Sequence, residues 1–308
     1  MTTTSSTTIE RELFIAADPA TVFSFLTEPG RITEWMGRLA VADPRPGGAL
    51  RVDYNGFDIM RGQFLEVVPV SRVVWSWGWE SLAANAVPPG ASRIEFILDP
   101  EAGGTRLRVV HSGLTAESVE PHSQGWDYHL PRLAARASGT AVEPGGVQLS
   151  AGETLASELN TLLVETIEAI QACPQDRWTV VAPGDGRPAN VVADHIAGHL
   201  GMAAFVVAVT RGESHPAAGF DLHTLTKLNA DHATANVAVT QDSVIARIRR
   251  DGPPAVEAIR ALDDESLQRT TPLAAAGGAM LTAAQIAGGP LLADCRDHLQ
   301  AFRSATVR

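Results

Sequence analysis

Cysteine is scarce. Cys173 and Cys295 are the only two in 308 residues, they lie far apart, and neither sits in a CxxC pair. A disulfide-stapled scaffold is therefore excluded, and a reducing, cytoplasmic setting is expected. Lysine is scarcer still, with Lys227 alone. The 35 Asp+Glu outnumber the 24 Lys+Arg and leave a formal net charge of -11. With no block of Lys or Arg, that sign argues against sequence-independent binding to nucleic acid or to an anionic membrane surface. Long hydrophobic runs are missing too: the longest, Met202 to Val209, is far short of the ~20 residues of a bilayer-spanning helix. The opening MTTTSSTTIE has neither a basic region nor an apolar core, so no secretory signal is expected. The sequence contains no internal repeat, and its first half has no nucleophile motif or phosphate-cradling glycine loop.

What is present is a globular composition, 45% hydrophobic and 19% charged, long enough for about two domains at ~150 residues each. A change of texture near residue 145 divides them. Before it, apolar residues alternate at Leu50-Val52-Tyr54, Phe64 to Val68, Val73 to Trp79, Ile94-Phe96-Leu98 and Leu107-Val109, the pattern of half-buried antiparallel strands. Asp18-Pro19 supplies a helix start, and Gln124 to Ala137 repeats apolar residues at helical spacing. Beyond the break, Ser150 and Glu153 form a capping box ahead of Leu155, Leu159, Leu162, Thr166 and Ile170 on one stripe. Further helices are expected over 188–212, 222–236, 242–262 with a break or kink at Pro253-Pro254, and 282–304. The expected layout is a disordered tail at 1–8, an α+β domain at 9–139, a linker at 140–149 and an all-α domain at 150–308.

Several separated motifs in the first domain carry a resemblance. Ile9-Glu-Arg-Glu-Leu13, Pro19-Ala-Thr-Val22-Phe23, Trp35-Met36-Gly37, Gly104-Thr105-Arg106-Leu107, His111-Ser-Gly-Leu114 and His122-Ser-Gln-Gly125-Trp126 resemble the Hsp90-ATPase-activator-like branch of the START/polyketide-cyclase superfamily (SRPBCC). The resemblance implies a helix-grip fold, a curved antiparallel sheet around a long C-terminal helix with a cavity between them. Trp75, Trp77 and Trp79 recur at every second position, so one strand is expected to project all three from one face. Either they pack as core under the helix, or they form an aromatic wall for a flat, hydrophobic ligand, with Trp35, Trp126 and Tyr128 contributing. His111, His122 and His129 are the candidates for acid/base work in this half, and His111 and His122 are expected instead to be structural hydrogen bonders.

In the second domain, His195 and His199 lie mid-helix, and Asp294 and His298 lie four apart in the last helix, hence on one face. These residues resemble the DinB and mycothiol-dependent maleylpyruvate isomerase superfamily of four-helix metalloproteins. The resemblance implies a divalent-metal site at His195, Asp294 and His298, with His199 replacing or joining His195. Such a ligand set suits zinc, nickel or iron and implies chemistry on a low-molecular-weight thiol or on water. His232 and Asn229 are expected as polar partners facing the bundle. Cys173 and Cys295 offer no reliable nucleophile. The expected function is a two-module small-molecule protein, with a homodimer as one expected assembly; the alternatives are a ligand-sequestering protein with a metal-free DinB-like domain and an Hsp90-type co-chaperone.

Overall fold

The structure, a computed structural model, describes residues 7–83, 86–143 and 148–306. It divides into two compact units, Met1–Gln148 and Leu149–Arg308. Residues 1–6 of the expected tail and 144–147 of the expected linker lie outside the described residues. Thr7 and Thr8 correct the tail's boundary, because they already belong to a strand, with Thr7 paired to Leu114.

The N-terminal unit runs β1 (Thr7–Ile15), α1 (Pro19–Thr27), α2 (Pro29–Trp35), β2 (Leu39–Ala42), β3 (Ala49–Asp53), β4 (Ile59–Val68), β5 (Arg72–Trp77), β6 (Trp79–Glu80), β7 (Ser92–Glu101), β8 (Gly104–Leu114) and α3 (Ala116–Ala137). All strand pairs are antiparallel, in the order β1-β8-β7-β5-β4-β3-β2, with β6 paired to β4. The alternation seen in the sequence is the alternation of burial: Ile94, Phe96 and Leu98 of β7 point into the core while Glu95 and Ile97 between them are only half-buried. Helix α3 buries Trp126, Leu130, Leu133 and Ala137, one stripe in the same core as the sheet residues. An antiparallel sheet with helices of this order fits a helix-grip fold. Helix α3 starts eight residues before the apolar repeat does, on a Thr115/Ser118 capping box. Pro121 is tolerated inside it because the carbonyl it leaves unpaired belongs to Glu117, in the exposed first turn.

The strand expected over Val73 to Trp79 is interrupted. Gly78 separates β5 from β6, and a Cβ there would lie 1.9 Å from the Pro88 carbonyl oxygen. Its close approach lets Trp79 donate its backbone N–H to Val87 O at 2.7 Å. Gly78→Ala is therefore expected to destabilise the N-terminal unit by roughly 2 kcal/mol or more, read as a shift in its urea midpoint; an unchanged midpoint would show that the Pro88 segment yields freely.

The C-terminal unit runs α4 (Ala151–Ala172), α5 (Ala189–His199), α6 (Met202–Arg211), α7 (Leu222–Ala235), α8 (Gln241–Arg260), β9 (Thr270–Leu273), β10 (Ala279–Thr282), α9 (Ala283–Ile286), a π-helical stretch Ala287–Ala293 and α10 (Asp294–Thr306). Helices α4, α8, α5 and α10 pack in a ring, α4 on α8, α8 on α5, α5 on α10 and α10 on α4. The Ser150/Glu153 capping box starts α4.

Three expectations for this unit are corrected. It is not all helical, because Thr270–Leu273 and Ala279–Thr282 pair as a hairpin whose turn ends in Gly277 and Gly278, both at positive φ. The 188–212 helix is two helices, divided at Leu200-Gly201. Helix α8 runs on through Pro253 and Pro254, since the carbonyls they deprive of partners belong to the exposed Arg249 and Arg250, where water takes over. Ala189–Arg211 is long and apolar enough to cross a membrane by length and composition, and 61% of that window is buried inside the protein, as in a core helix.

Candidate functional site

Among the described residues, each unit holds a cavity in which aromatic or titratable side chains gather. In the N-terminal unit the cavity measures about 470 Å³ and is lined by Trp77 and Trp79 at the end of the sheet, Trp126, Tyr128 and His129 from α3, and Tyr54 after β3. Two indoles of its wall are locked by histidines. Trp126 donates Nε1–H to His111 Nδ1 at 3.1 Å, which leaves the proton of a neutral ring on Nε2, facing Ser92 Oγ at 3.0 Å; Ser92 in turn donates to Trp77 O. Trp79 donates Nε1–H to His122 Nε2 at 3.0 Å, and His122 Nδ1 donates to Ser118 O at 2.6 Å. Both histidines thus act as acceptors in fixed tautomers. Trp77 differs: its Nε1 is buried and has no acceptor among the described residues.

Burial, then the nearby His122, holds the His111 pKa down to about 3, and burial also lowers those of His122 and His129. Because the folded state resists a proton that the unfolded chain accepts near pH 6.5, this stability is complete above that pH and drains away as pH falls toward 3. His111→Gln, which cannot titrate, is expected to flatten the acid limb of a stability profile by about 1 kcal/mol per pH unit in that window. Urea melts at stepped pH check it, and an unaltered slope would assign the acid limb to other groups.

In the C-terminal unit, one donor atom each from His195, His199 and His298 lies within 4.8 Å of the others. His195 and His199 sit one turn apart on α5, and their Nε2 atoms approach to 3.0 Å. His298 comes from α10. His199 Nδ1 donates to Pro290 O at 3.1 Å, a carbonyl of the π-helical stretch, so its Nε2 carries the lone pair. His298 Nδ1 donates to Asp185 Oδ2 at 2.9 Å, which frees its Nε2 in the same way. Asp185 is almost fully buried and receives Arg187 Nε at 2.6 Å and Nη2 at 2.8 Å. Burial alone would raise the Asp185 pKa, but the Arg187 hydrogen bonds and charge outweigh it and hold the carboxyl below its usual range. Burial, followed by the charges of His199, Arg187, His298 and His232, holds the His195 pKa down to about 2, and burial also lowers that of His199. Burial thus keeps His195 and His199 from becoming cations near neutral pH. On its flank, His232 of α7 donates Nε2–H to the buried Asp194 at 2.9 Å, and Arg247 of α8 donates to both oxygens of the same carboxylate.

The family model described as Activator of Hsp90 ATPase homolog 1-like protein matches residues 16–138. An AHSA1-like protein of Rhizobium etli, solved by NMR in solution, is 42% identical over 47% of this chain and 92% of that chain, with a TM-score of 0.39. Through its N-terminal unit, the chain belongs to the AHSA1-like family. CalU16 of Micromonospora echinospora is 27% identical over 43% of this chain and 76% of that chain, with a TM-score of 0.34. DynU16, from the dynemicin biosynthetic locus, is 24% identical over 46% of this chain and 49% of that chain, with a TM-score of 0.39. No curated protein matches the chain.

Within the AHSA1-like unit, the six aromatic residues expected at a ligand site separate into two sets. Trp77, Trp79, Trp126 and Tyr128 line the cavity. Trp35 and Trp75 do not: both are fully buried, Trp35 donating Nε1–H to Phe25 O at 2.9 Å and Trp75 packed between Phe64 and Phe96. Trp75 packs in the sheet-helix core, while Trp77 and Trp79, further along the same face, reach the cavity. The lining also includes Tyr54, His122 and His129, which no fixed spacing marked. In the C-terminal unit, Asp294 lines the same cavity as the histidines but is not in the converging trio. It stands one turn before His298, about 6 Å along the axis, and its charge offsets only part of the burial that lowers the His199 pKa. His199 supplies the third nitrogen instead. Asp185 and Arg187 went unassigned in the sequence because they belong to a loop more than a hundred residues from the histidine they hold. The buried Cys295, its thiol pushed up to about 12 by burial, and the buried Cys173, also raised, are not thiolates at neutral pH.

Proposed function

We propose that the protein is a two-module small-molecule protein. Its AHSA1-like unit binds a flat hydrophobic ligand, and its C-terminal unit, read as a DinB-like bundle, holds a divalent cation, zinc first, at His195, His199 and His298. The observation that carries the second part is the meeting of three imidazoles, two of them steered from behind. The facing Nε2 atoms of His195 and His199 lie 3.0 Å apart, a distance that one proton shared as an Nε2–H···Nε2 hydrogen bond satisfies in the metal-free protein and that a cation displacing that proton would satisfy in the loaded one. Zinc–nitrogen bonds of about 2.1 Å put neighbouring ligand atoms roughly 3.0–3.4 Å apart, so the His195–His199 pair stands at coordination spacing, and His298, within 4.8 Å, would close in on the cation. The Asp185–His298 contact and the Pro290 carbonyl on His199 are the outer hydrogen bonds that orient metal-binding histidines.

The chain's own residues would do three things around such a cation. Asp185 fixes the tautomer and direction of His298, Arg187 keeps Asp185 ionised, and the low basicity of His195 and His199 keeps both rings uncharged near neutral pH. When bound, the cation would supply Lewis acidity, bringing a coordinated water or small thiol toward ionisation near neutral pH. This supports hydrolysis, or transfer or isomerisation through a thiol. Metal analysis of the full chain after zinc loading and desalting tests the reading. About one equivalent supports it, and less than about a tenth overturns it.

For the AHSA1-like unit, support comes from the aromatic lining by Trp77, Trp79, Trp126 and Tyr128. Replacing Trp79 by alanine is expected to weaken binding of 1-naphthol about tenfold, followed by quenching of tryptophan fluorescence. Equal affinity in both proteins would remove Trp79 from the site.

A further inference from the structure

The histidine cavity is larger than a cation and a water require. It measures about 570 Å³, within the range of pockets that take drug-sized molecules. Its wall away from the histidines is apolar: Met202 and Phe205 from α6, Phe220, Leu225 and Leu228 from α7 and the segment before it, and Leu273 from the hairpin.

Helix α7 is the unusual part of this wall. None of its residues is buried, although Leu225, Leu228 and His232 fall on one face and all line the cavity. Leu228 is 44% exposed. An amphipathic helix gains its stability by burying such a face, and here the face borders open space. The helix is nevertheless tied down near its end: His232 bonds Asp194, and just beyond it Asn190 Nδ2 donates to Val237 O at 2.9 Å. The leucine face is thus held over the histidines at a fixed distance, with an apolar gap between.

We propose that this gap receives an amphiphile: a single anionic head directed to His195, His199 and His298, and an unbranched apolar body laid against Leu225 and Leu228. The head's placement rests on the cation reading above; the body's placement rests on α7 alone. Neither Asp194 nor Arg247 is free to attract a second charged group, since each already neutralises the other. That favours a ligand with one polar end.

Calorimetric titration of the full chain, zinc-loaded and zinc-free, with butanoate, hexanoate and octanoate tests this. Affinity is expected to rise about fourfold per added methylene as the chain buries. The double variant Leu225→Gln/Leu228→Gln changes no buried residue, so it is expected to fold and to keep its zinc, while losing about tenfold in octanoate affinity and little in butanoate affinity. A flat series overturns the proposal. So does a series that the double variant leaves unchanged, because the chains would then be binding elsewhere. Loss of zinc binding with an α7-dependent series preserved would sink the cation reading and leave the apolar site standing; zinc bound with no α7 dependence would do the reverse.

Discussion

His298→Ala and His195→Ala are each expected to lower zinc affinity by well over 100-fold, so that neither variant retains the metal through desalting. Loss of a direct nitrogen ligand should exceed the 10–100-fold typical of outer hydrogen-bonding partners. Asp185→Asn supplies that intermediate case. It keeps the shape beside His298 but removes the charge that Arg187 stabilises, and its expected cost is about 10–100-fold. Asp294→Asn separates the two ligand sets: if His195, His199 and His298 hold the cation, it keeps the metal with a modest loss, whereas a loss as large as that of His298→Ala would restore the aspartate to the coordination shell. Dye-competition titrations of the four variants against the parent chain measure the order. The expected sequence of affinities is parent, Asp294→Asn, Asp185→Asn, then the two alanine variants, and equal zinc content in all of them would end the proposal.

Trp75→Ala is expected to destabilise the AHSA1-like unit by roughly 3–5 kcal/mol, the range for deleting a large buried aromatic side chain. Trp75 is fully buried, with its ring 4.6 Å from that of Phe96 and 6.2 Å from that of Phe64, so the cavity left behind would be walled by residues that cannot collapse into it. Trp79→Ala should cost far less stability, because that side chain is only half-buried, yet it should cost more ligand affinity. Paired urea melts and 1-naphthol titrations separate the roles. Comparable stability losses in the two variants would contradict the division of the tryptophans into a core residue and a cavity residue.

Alternation identified the sheet correctly, since a residue's face on a strand depends only on its parity. Parity also grouped Trp75, Trp77 and Trp79, but it carries no depth: Trp75 packs between Phe64 and Phe96 while Trp77 and Trp79 line the cavity, and the break at Gly78 follows from a contact with Pro88, a neighbour that periodicity does not reveal. Likewise, four-residue spacing correctly placed Asp294 and His298 on one helical face, but reach across the bundle decided that His199 and not Asp294 joins the trio. The hairpin after α8 was marked only by two threonines and a pair of glycines, too short a signal to stand against the helical texture around it.

The amino-acid order by itself determined the two-part layout, the antiparallel sheet with its long helix, the helical second half and the histidines worth watching, because all of these rest on local periodicity, caps and turn residues. Only the tertiary structure decided which indoles line a cavity, which nitrogen of each histidine carries a proton, and that Asp185 and Arg187 stand behind His298. Those outcomes depend on contacts between residues far apart in the chain, where distance and burial set the chemistry and sequence spacing carries no record of either.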